Sequence, residues 1–480
     1  MYCGDEVATI VGDIGADTSK FGYGGEDSPK HVFSSTAGYL PAETSIKEGG
    51  APQGPVAMEI DGGGVTGAAA TATATAGNSK AGGGRWIVGD LAVSRRRDGM
   101  DMRTPLVDGL LSDWDQVEKI WDHAFQHRMR AVASERPVLV AEASWSTAKE
   151  RRGLMELMFE KFGVPAMFPA KNAMLSAFSA GRATALVCDC GHGATSAVPV
   201  VDGYVLNGAV QRGIRGGDWL TQRTHDYLAE KGVQVRPRYA LQQRGGAGST
   251  AAAAAAAADA SGGKEKGKGK GRAAGRTAHQ QQYQDPFPGT APSYANHMRM
   301  EIVRELKETC MSLPLEDSAS SEEEEDARQT KFTLPDGTDV QLTDELRHMP
   351  EMLMDVSAMT PLHNQKENLS LDLPLPALLR RALEQSDADA RKEMVGNVVL
   401  TGGGSLFEGM PERITSELTS SLPSAFKVRT LTASPIERRF SVWIGGSILC
   451  SLGTFQQLWL SKRQYEEQGP EVAENRRFQG

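Results

Sequence analysis

The sequence of 480 residues lacks several features, and each lack argues against a class of protein. Its five cysteines show no paired framework, unlike a small disulfide-rich scaffold. The net charge is −9 at pH 7, unlike a protein whose whole surface grips DNA. No apolar run reaches the roughly 20 residues that cross a bilayer, and the N-terminus has no apolar secretory core. We therefore expect a soluble, intracellular protein without a membrane partner.

Composition divides the chain into blocks. Apolar residues make up 40% and charged residues 24%, which is ordinary for globular domains, and the length predicts roughly three domain-sized units. The stretches 47–84 and 240–297 are rich in small or polar residues and cannot repay the entropy of ordering, so we predict disordered insertions. Within the second, the alanine run 251–258 is at most a transient helix. The acidic segment 318–328 fits either a solvated loop or an attractor of basic partners such as histones.

Between these interruptions the pattern is α/β. Short apolar runs typical of strands alternate with segments that carry apolar residues at three- and four-residue spacing, which is typical of helices. The strand-like runs are VATIVGDIG, RWIVGD, RPVLVAEAS, ATALVCDCG, TSAVPVVDGYVL and GNVVLTGGG. The helical stretches are DWDQVEKIWDHAFQHRMR, AKERRGLMELMFEKF, MRMEIVRELKETCMSL, PERITSELTSSL and SILCSLGTFQQLWL. Hairpins followed by helices in both halves predict a duplicated architecture.

One strand-into-turn sequence occurs twice, as IVGDIGAD at 10–17 and as LVCDCGHG at 186–193. A strand that ends Asp-x-Gly and turns tightly exposes backbone N–H groups in a concave nest that suits phosphate oxygens. Asp13 and Asp189 occupy equivalent places in the two copies and suit Mg²⁺ bound through its water shell. Lys20, shortly after the first turn, is within reach of phosphates as a point charge.

A third glycine turn, TGGGSLFEG at 401–409, follows the apolar strand NVVL and is fit to lie against a flat base or ribose. One Asp-x-Gly alone is common turn chemistry. Three glycine turns at strand ends, two of them internal copies, predict that two hairpins clamp one nucleotide between two domains, with a metal ion on its polyphosphate.

Three stretches of the chain resemble actin and actin-related proteins: 12–33, 137–206 and 398–467. The last is the most specific because it contains WIGGSIL and TFQQLW. The resemblance covers nearly all the chain outside the insertions. Within the family, GYGGEDSPK, CGHGATS and VPVVDGYVL are most similar to the subfamily of actin-related protein 4, a nuclear branch.

The resemblance implies an α/β, actin-like ATPase fold, in which two duplicated lobes form four subdomains around a central nucleotide cleft. The first lobe would hold subdomain 1 and a subdomain 2 region, and the second lobe would hold subdomains 3 and 4. In this numbering the four are 1–34 with 85–179 and 441–480; 35–84; 180–215 with 361–440; and 216–360.

The resemblance also implies ATP, or ADP, with Mg²⁺ in the cleft. Asp13 and Asp189 would serve the metal's water shell, and Lys20 the phosphates. Without the family, an exposed, solvated helix face would be the preferred interpretation of Arg304 and Lys307. The remaining matched positions are the phosphate cradle at Gly15, Ala16, Gly191, His192 and Gly193; the adenosine contacts Arg304, Lys307 and Glu308; the ribose-and-base turn Gly402, Gly403 and Phe407; and Arg439 beside the adenine.

Departures from the family pattern concern hydrolysis. Ala16 and Asp17 stand where actins carry serine and glycine, His192 stands for an aspartate, Asn172 for the glutamine that positions the attacking water, and Ser196 for a nearby histidine. Phosphoryl transfer to water is nearly all positioning and electrostatics, and a misplacement of about 1 Å loses a factor of order a hundred. We expect nucleotide binding without useful turnover. His192 fits a catalytic base or, as we favour, a hydrogen-bonded turn residue.

Polymerisation is not expected, because the region between Phe33 and Gly89 is occupied by the first insertion and offers no ordered filament contact. The groove at the base of the two lobes would be lined by Ser179, Gly181, Tyr204 and the segment 444–455. Such a groove accepts an amphipathic helix, although plain lobe packing explains the same apolar residues. The resemblance implies the helicase/SANT-associated helix of a remodelling ATPase, alongside monomeric actin and other subunits.

The resemblance implies a structural, ATP-binding subunit of nuclear chromatin-remodelling and histone acetyltransferase complexes, which serve transcription regulation and DNA repair. The first alternative is a filament-forming cytoskeletal actin-like ATPase. The second is a small-molecule kinase of the same superfamily, against which the actin-like C-terminal run argues. The basic tract 263–272 fits either a nuclear address or a soluble linker, and any nucleic-acid contact through it would be weak and not sequence-specific.

Overall fold

The computed structural model describes residues 8–42, 84–241, 285–314, 330–355 and 373–472. Most of the predicted insertion 47–84, the central part of 240–297 and all of the acidic segment 318–328 lie outside these ranges.

The strands are β1 Ile10–Ile14, β2 Thr18–Tyr23, β3 His31–Ser34, β4 Ala37–Leu40, β5 Arg85–Ile87, β6 Asp101–Arg103, β7 Leu106–Val107, β8 Leu110–Leu111, β9 Val138–Glu142, β10 Ala166–Lys171, β11 Ala185–Cys190, β12 Thr195–Val201, β13 Tyr204–Val205, β14 Gln211–Gly213, β15 Lys331–Thr333, β16 Asp339–Gln341, β17 Val398–Thr401, β18 Thr430–Leu431 and β19 Leu460–Ser461.

The helices are numbered in the same way. They are α1 Asp90–Val93, α2 Trp114–Asp122, α3 Ala148–Glu156, α4 Asn172–Ser179, α5 Gly217–Glu230, α6 Pro292–Cys310, α7 Asp344–Arg347, α8 Leu375–Glu384, α9 Ala388–Val395, α10 Met410–Ser421, α11 Pro435–Ser451 and α12 Lys462–Gln468. Turns of π-helix extend α2 over His123–Met129 and α3 over Leu157–Lys161. None of the helices in the described ranges is long and apolar enough to cross a membrane.

Two large sheets repeat one strand order. The first runs β19-β10-β9-β1-β2-β3, and the second runs β13-β12-β11-β17-β18 with β14 on β12. In each sheet an antiparallel hairpin, β1–β2 or β11–β12, adjoins two strands parallel to its first strand, β9 and β10 or β17 and β18. We call the part built on the first sheet, with the small sheet β5-β4-β6, the first lobe, and the part built on the second sheet the second lobe. The repeat confirms the predicted duplicated α/β fold.

The apolar core has two main clusters, one centred on each lobe, and the first also includes Ala185, Val187 and Val399 from the second sheet. In the first lobe, Trp121 and Trp443 pack with the buried strands β1 and β9. In the second lobe, β11 and β17 pack with α6, α8 and α10. Because side chains of both faces of these central strands are covered, the strands read as continuous apolar runs in the sequence rather than as an alternating pattern.

Helices α4 and α11 cross where the two lobes join. A Cβ atom on Gly445 would lie 1.8 Å from the carbonyl oxygen of Leu175, so only glycine permits this approach. The hydroxyl groups of Ser176 and Ser441 lie 3.3 Å apart in the same contact. Helix α11 begins with a capping box in which Ser434 and Glu437 satisfy each other's backbone N–H groups.

Two sequence predictions need correction. The helix expected over SILCSLGTFQQLWL ends at Ser451, and a 3₁₀ turn over Gly453–Gln457 follows, because Phe455 turns inward to pack edge-on against Phe168 at 4.9 Å. The insertion predicted over 240–297 extends too far, since α6 begins at Pro292. Proline suits the first turn of a helix, and the fully buried Tyr294 anchors that turn.

The close crossing of α4 and α11 predicts that Gly445→Ala destabilises the protein. The added methyl group overlaps the Leu175 carbonyl group, and overpacking of this kind costs about 1–3 kcal/mol or more. Urea unfolding at pH 7 measures the free energy of unfolding of the variant and of the unmodified protein. Gly453→Ala is the matched control because a Cβ atom there meets nothing within 4 Å. An equal free energy of unfolding for both variants would contradict the crossing.

Candidate functional site

The turns of the two repeated hairpins meet between the lobes. In the first turn the N–H group of Gly15 donates to the carbonyl of Thr18 at 3.1 Å, and in the second that of Gly191 donates to Ala194 at 3.0 Å. The Cβ atom of Ala16 lies 3.0 Å from the position that a Cβ atom on Gly193 would take. The structure therefore brings both predicted cradle turns to one place.

Two carboxylates lie beneath these turns. Asp13, at the end of β1, is paired with Lys20 at 2.8 Å. Burial, followed by the negative charge of Asp13, raises the pKa of Asp189 to about 6. Two carboxylates that repel each other in a poorly hydrated place favour a cation between or near them. Oxygen donors are the ligands that Mg²⁺ prefers, so Asp13 and Asp189 fit the metal that the sequence predicted.

The third glycine turn packs directly on the second hairpin. Gly402 has a φ of +85°, and a Cβ atom there would lie 2.4 Å from the Cys190 carbonyl oxygen and 2.6 Å from Oδ1 of Asp189. Gly403 is exposed, and Phe407 packs against the second core. The turn that the sequence assigned to a base or ribose thus borders the same cavity floor as Asp189.

Arginine 438 holds this turn, whereas the sequence pointed to its neighbour. Nη1 of Arg438 donates to the carbonyl of Ser405 at 2.7 Å, and the Arg438 carbonyl accepts from Gly402 at 3.0 Å. Arg439 is exposed and its guanidinium lies 5.8 Å from the ring of Phe440. Adjacent arginines on a helix point in different directions, and no local signal distinguishes which one faces the turn.

The start of α5 closes one side of the site, and sequence reasoning missed it. The N–H groups of Gly217 and Asp218 donate to the carbonyls of Gly191 and His192 at 2.9 and 2.8 Å. A Cβ atom on Gly216 would lie 2.3 Å from the His192 carbonyl oxygen. The paired glycines in RGGDW were the available signal. A helix N-terminus placed here adds partial positive charge beside the cradle.

The imidazole of His192 lies near two carboxylates, those of Asp17 and Asp218, and near two cations, those of Arg304 and Lys307. Its Nε2 atom is 3.8 Å from Oδ1 of Asp218. Burial lowers the pKa of His192 below its ordinary value, even though Asp17 and Asp218 act in the opposite direction. Burial thus favours the neutral form of the imidazole. Its backbone carbonyl is occupied by the start of α5, which fits a structural role in the turn.

Arginine 304 bridges the two lobes. From α6 in the second lobe its Nη1 donates to Oδ1 of Asp17 in the first hairpin, and its Nη2 donates to Glu301. The resemblance implied an adenosine contact for Arg304, and in the structure its guanidinium group pairs with Asp17. Burial would raise the pKa of Asp17, but the charge of Arg304 and then that of His192 bring it below its ordinary value.

The other two predicted adenosine contacts have different surroundings. Lys307 is buried, and its Nζ donates to the Gly217 carbonyl at 2.8 Å and to Oγ1 of Thr221 at 2.9 Å. Burial lowers the pKa of Lys307 to about 8. This lysine therefore fastens the start of α5 to α6. Glu308 is exposed on the same helix.

The residues expected to impair hydrolysis lie beside Asp189. Oδ1 of Asn172 accepts from the hydroxyl of Ser144 at 2.6 Å, and its Nδ2 lies 3.5 Å from Oδ2 of Asp189. Ser196 is buried and pairs with Asp189 across the β11–β12 ladder. Asn172 is thus tied between two protein groups at the end of β10.

A duplicated fold whose paired hairpin turns and acidic strand ends face each other across one cleft is an actin-like ATPase fold. The sequence profile of the family described as Actin matches residues 4–478, and the chain belongs to the actin family. It is 34% identical to "Actin-related protein 4" of Arabidopsis thaliana, over 98% of each chain. It is 35% identical to that of Oryza sativa subsp. indica over 98% of each, and 30% identical to that of Yarrowia lipolytica over 100% of this chain and 98% of the relative.

The bridge between the lobes predicts a pH-dependent effect of Asp17→Asn. Because the pKa of Asp17 is lowered in the folded protein, its stabilisation is present above the unfolded value near 3.9 and is lost as pH falls through the lowered folded value. We expect Asp17→Asn to lower the free energy of unfolding by about 1 kcal/mol at pH 7.

Urea unfolding at pH 7, 4 and 3 measures this effect, and the difference from the unmodified protein should shrink at the lowest pH, which lies below the unfolded pKa. Asp339→Asn is the control, because Asp339 forms a surface ion pair with Lys331 at 2.7 Å and should change little at pH 7. A constant difference at all three pH values would contradict the assigned ion pair.

Proposed function

We propose that this actin-family chain is a nuclear, nucleotide-binding structural subunit of chromatin-remodelling and histone acetyltransferase complexes. The observation that carries the proposal is the meeting of two glycine turns above Asp13 and Asp189. The resemblance to the actin-related protein 4 subfamily and the full-length relatives of that name support it. On this proposal the chain neither hydrolyses ATP usefully nor forms filaments.

The N–H groups of Gly15 and Gly191 close the two turns. In the proposed complex the other backbone N–H groups of the turns receive phosphate oxygens, which suits a concave nest of amides. Lys20 adds a positive charge at the first turn, where it now neutralises Asp13. Asp13 and Asp189 would hold Mg²⁺ through its water shell, and the ion would neutralise the polyphosphate. The start of α5, fastened by Lys307, adds partial positive charge beside the turns.

Poor hydrolysis follows from the surroundings of Asn172. A side chain that orients an attacking water must be free to do so, but both ends of this amide face protein partners, Ser144 and Asp189. Its side chain is also one methylene shorter than the glutamine of actins. Since phosphoryl transfer relies on positioning, we expect phosphate release at least about a hundredfold slower than for actin.

Incubation of the purified protein with Mg·ATP tests both the proposed nucleotide binding and the expected lack of hydrolysis and filament formation. We expect thermal stabilisation that rises with ligand concentration, no sedimenting polymer and little phosphate release. Asp189→Asn should abolish the Mg²⁺-dependent part of the stabilisation. Asp339→Asn is the control and should leave it unchanged, because Asp339 pairs with Lys331 on the surface. Absence of any stabilisation by Mg·ATP or Mg·ADP would overturn nucleotide binding. Phosphate release at actin's rate with pelletable polymer would favour the filament-forming alternative.

An exposed apolar surface supports the proposed partner. Tyr204 on β13 of the second lobe is 45% exposed, and Ile448 and Leu452 at the end of α11 are 39% and 47% exposed. Strand β13 and helix α11 both pack against α4, which places the three at the joint of the lobes. We propose that this joint surface receives the helicase/SANT-associated helix of a remodelling ATPase, with monomeric actin as a neighbouring subunit.

The joint surface predicts a loss of binding for Ile448→Asp. A charge at the centre of an apolar helix contact costs about 2 kcal/mol or more, so affinity for a helicase/SANT-associated peptide should fall at least about thirtyfold. Fluorescence anisotropy of the labelled peptide measures it. Leu91→Asp is the control, because Leu91 is 91% exposed on α1 in another part of the first lobe. Equal affinities for the two variants would argue against this surface.

A further inference from the structure

The π-helical end of α2 places an arginine beside a histidine in the first lobe. Nε of Arg128 donates to Nε2 of His123 at 3.0 Å, and both side chains belong to half-buried residues. The two residues are five positions apart, and a π-helical turn brings residues i and i+5 together. A regular α-helix, with 3.6 residues per turn, would carry Arg128 towards another face. The π-helical turn therefore creates this pair.

Phe33 on β3 supports both members of the pair. The buried ring of Phe33 meets the His123 ring edge-on, with the ring centroids 4.9 Å apart. The guanidinium carbon of Arg128 lies 5.5 Å from the Phe33 centroid, and a cation over an aromatic face is attracted to it. Protein groups thus hold Nε and one face of the guanidinium, which fixes the direction of its two Nη groups.

The two Nη groups of Arg128, which we call the Arg128 fork, have no partner within the described ranges. No carboxylate or carbonyl oxygen there accepts from them, and no acidic side chain forms an ion pair with Arg128. Gly89 leaves space beside the fork, since a Cβ atom on it would lie 3.6 Å from Nη2 of Arg128 and 3.1 Å from Nε2 of His123. Half-buried charges are usually paired, so the Arg128 fork is open to an acceptor from outside the chain.

The two histidines next to the fork favour their neutral forms. Burial, followed by the charge of Arg128, lowers the pKa of His123 to about 4. On β3, burial followed by the charges of Arg128 and Lys30 lowers the pKa of His31. Lys30 is already paired with Glu26. Arg128 therefore supplies the unpaired positive charge at this place.

A metal ion fits this place less well than an anion. His123 and His127 are four positions apart with ring centroids 5.4 Å apart, but Nε2 of His123 already accepts from Arg128. The charge of Asp90 reaches His123, but Oδ1 of Asp90 accepts from the N–H group of Ser34 at 2.8 Å. The described part of the chain contains no group of three or more metal-ligating side chains.

We propose that the Arg128 fork is a docking site for an acidic side chain of a partner protein, whose carboxylate accepts from the two Nη groups. A planar guanidinium matches the two oxygens of a carboxylate, and one carboxylate balances the one charge of Arg128. A phosphate monoester carries about −1.5 to −2 charges, for which this place has too few free cations. His127 at the rim is exposed, so the fork is open to a large partner.

This site is independent of the joint surface and of nucleotide binding. It is built from β3 and the π-helical end of α2, whereas the joint surface is built from β13 and α11. Arginine is among the residues that contribute most to protein interfaces. The Arg128 fork therefore adds a second place at which a partner protein docks on the first lobe.

Titration of the full-length protein with short peptides tests the Arg128 fork. The chain has nine histidines, so a ¹³C label at ring Cε1 gives few NMR signals, and a His123→Gln variant assigns that of His123. The probes are acetyl-Gly-Glu-Gly-amide and its glutamine twin. A single carboxylate binds weakly, and NMR titration measures weak binding. We expect the glutamate peptide to move the His123 signal and the glutamine peptide to bind at least about tenfold more weakly.

Two arginine variants separate the fork from its charge. Arg128→Gln removes both and should weaken binding of the glutamate peptide at least about tenfold, whereas Arg128→Lys keeps the charge without the fork and should weaken it severalfold. Arg463→Gln is the matched control, because it makes the same change in net charge on α12, where Arg463 is 84% exposed. If circular dichroism shows that Arg128→Gln does not fold, Arg128→Lys decides the test.

Four results would overturn the docking site. One is equal affinity of the glutamate and glutamine peptides. Another is unchanged affinity in a folded Arg128→Gln or Arg128→Lys variant. The third is tighter binding of a phosphoserine twin or of a deoxythymidine octanucleotide, which would assign the fork to phosphate. The fourth is movement of the His192 signal without that of His123, which would place the peptide in the cleft.

Discussion

Repulsion between the carboxylates of Asp13 and Asp189 is the constraint on which the arrangement of the cleft depends. Duplication of the hairpin places an acidic strand end in each lobe, and association of the lobes brings the two together with little water. Lys20 is paired with Asp13, and burial, followed by the negative charge of Asp13, raises the pKa of Asp189 to about 6. On the proposed nucleotide binding, a hydrated divalent cation would supply the positive charge that the protein side chains here do not.

A third carboxylate, that of Asp17, adds to the negative charge in the cleft. Asp17 lies in the turn where actins carry glycine. Its negative charge is paired with Arg304 of the opposite lobe. The same residue that would face adenosine in the family pattern is thereby committed to holding the lobes together. Lys307, one turn further along α6, is committed to the start of α5. Two cations of the predicted adenosine contact thus act on protein groups.

The fold was predictable because its signals are local. Apolar runs that end in Asp-x-Gly specify a strand and its turn, and their repetition specifies the duplication; both are present in the structure. The site was predictable only where it consists of such turns. The pairing of Asp17 with Arg304 spans 287 residues, the choice of Arg438 over Arg439 depends on helix rotation, and the start of α6 depends on Tyr294 finding a pocket in the other lobe. No pattern in the neighbouring sequence encodes these contacts.

Most of the contacts that sequence reasoning missed connect the two lobes. Arg304 crosses between the lobes, Tyr294 buries itself in the opposite one, and Gly445 allows α11 to lie on α4 at the joint. An enzyme that turns over nucleotide must open and close repeatedly, and links at both ends of its cleft would slow each cycle. A subunit that presents a fixed surface gains from the same links, because Tyr204 of one lobe and Ile448 of α11 keep one spacing only while the lobes keep one orientation. Rigidity between the lobes therefore fits the proposed scaffold better than it fits a cycling ATPase.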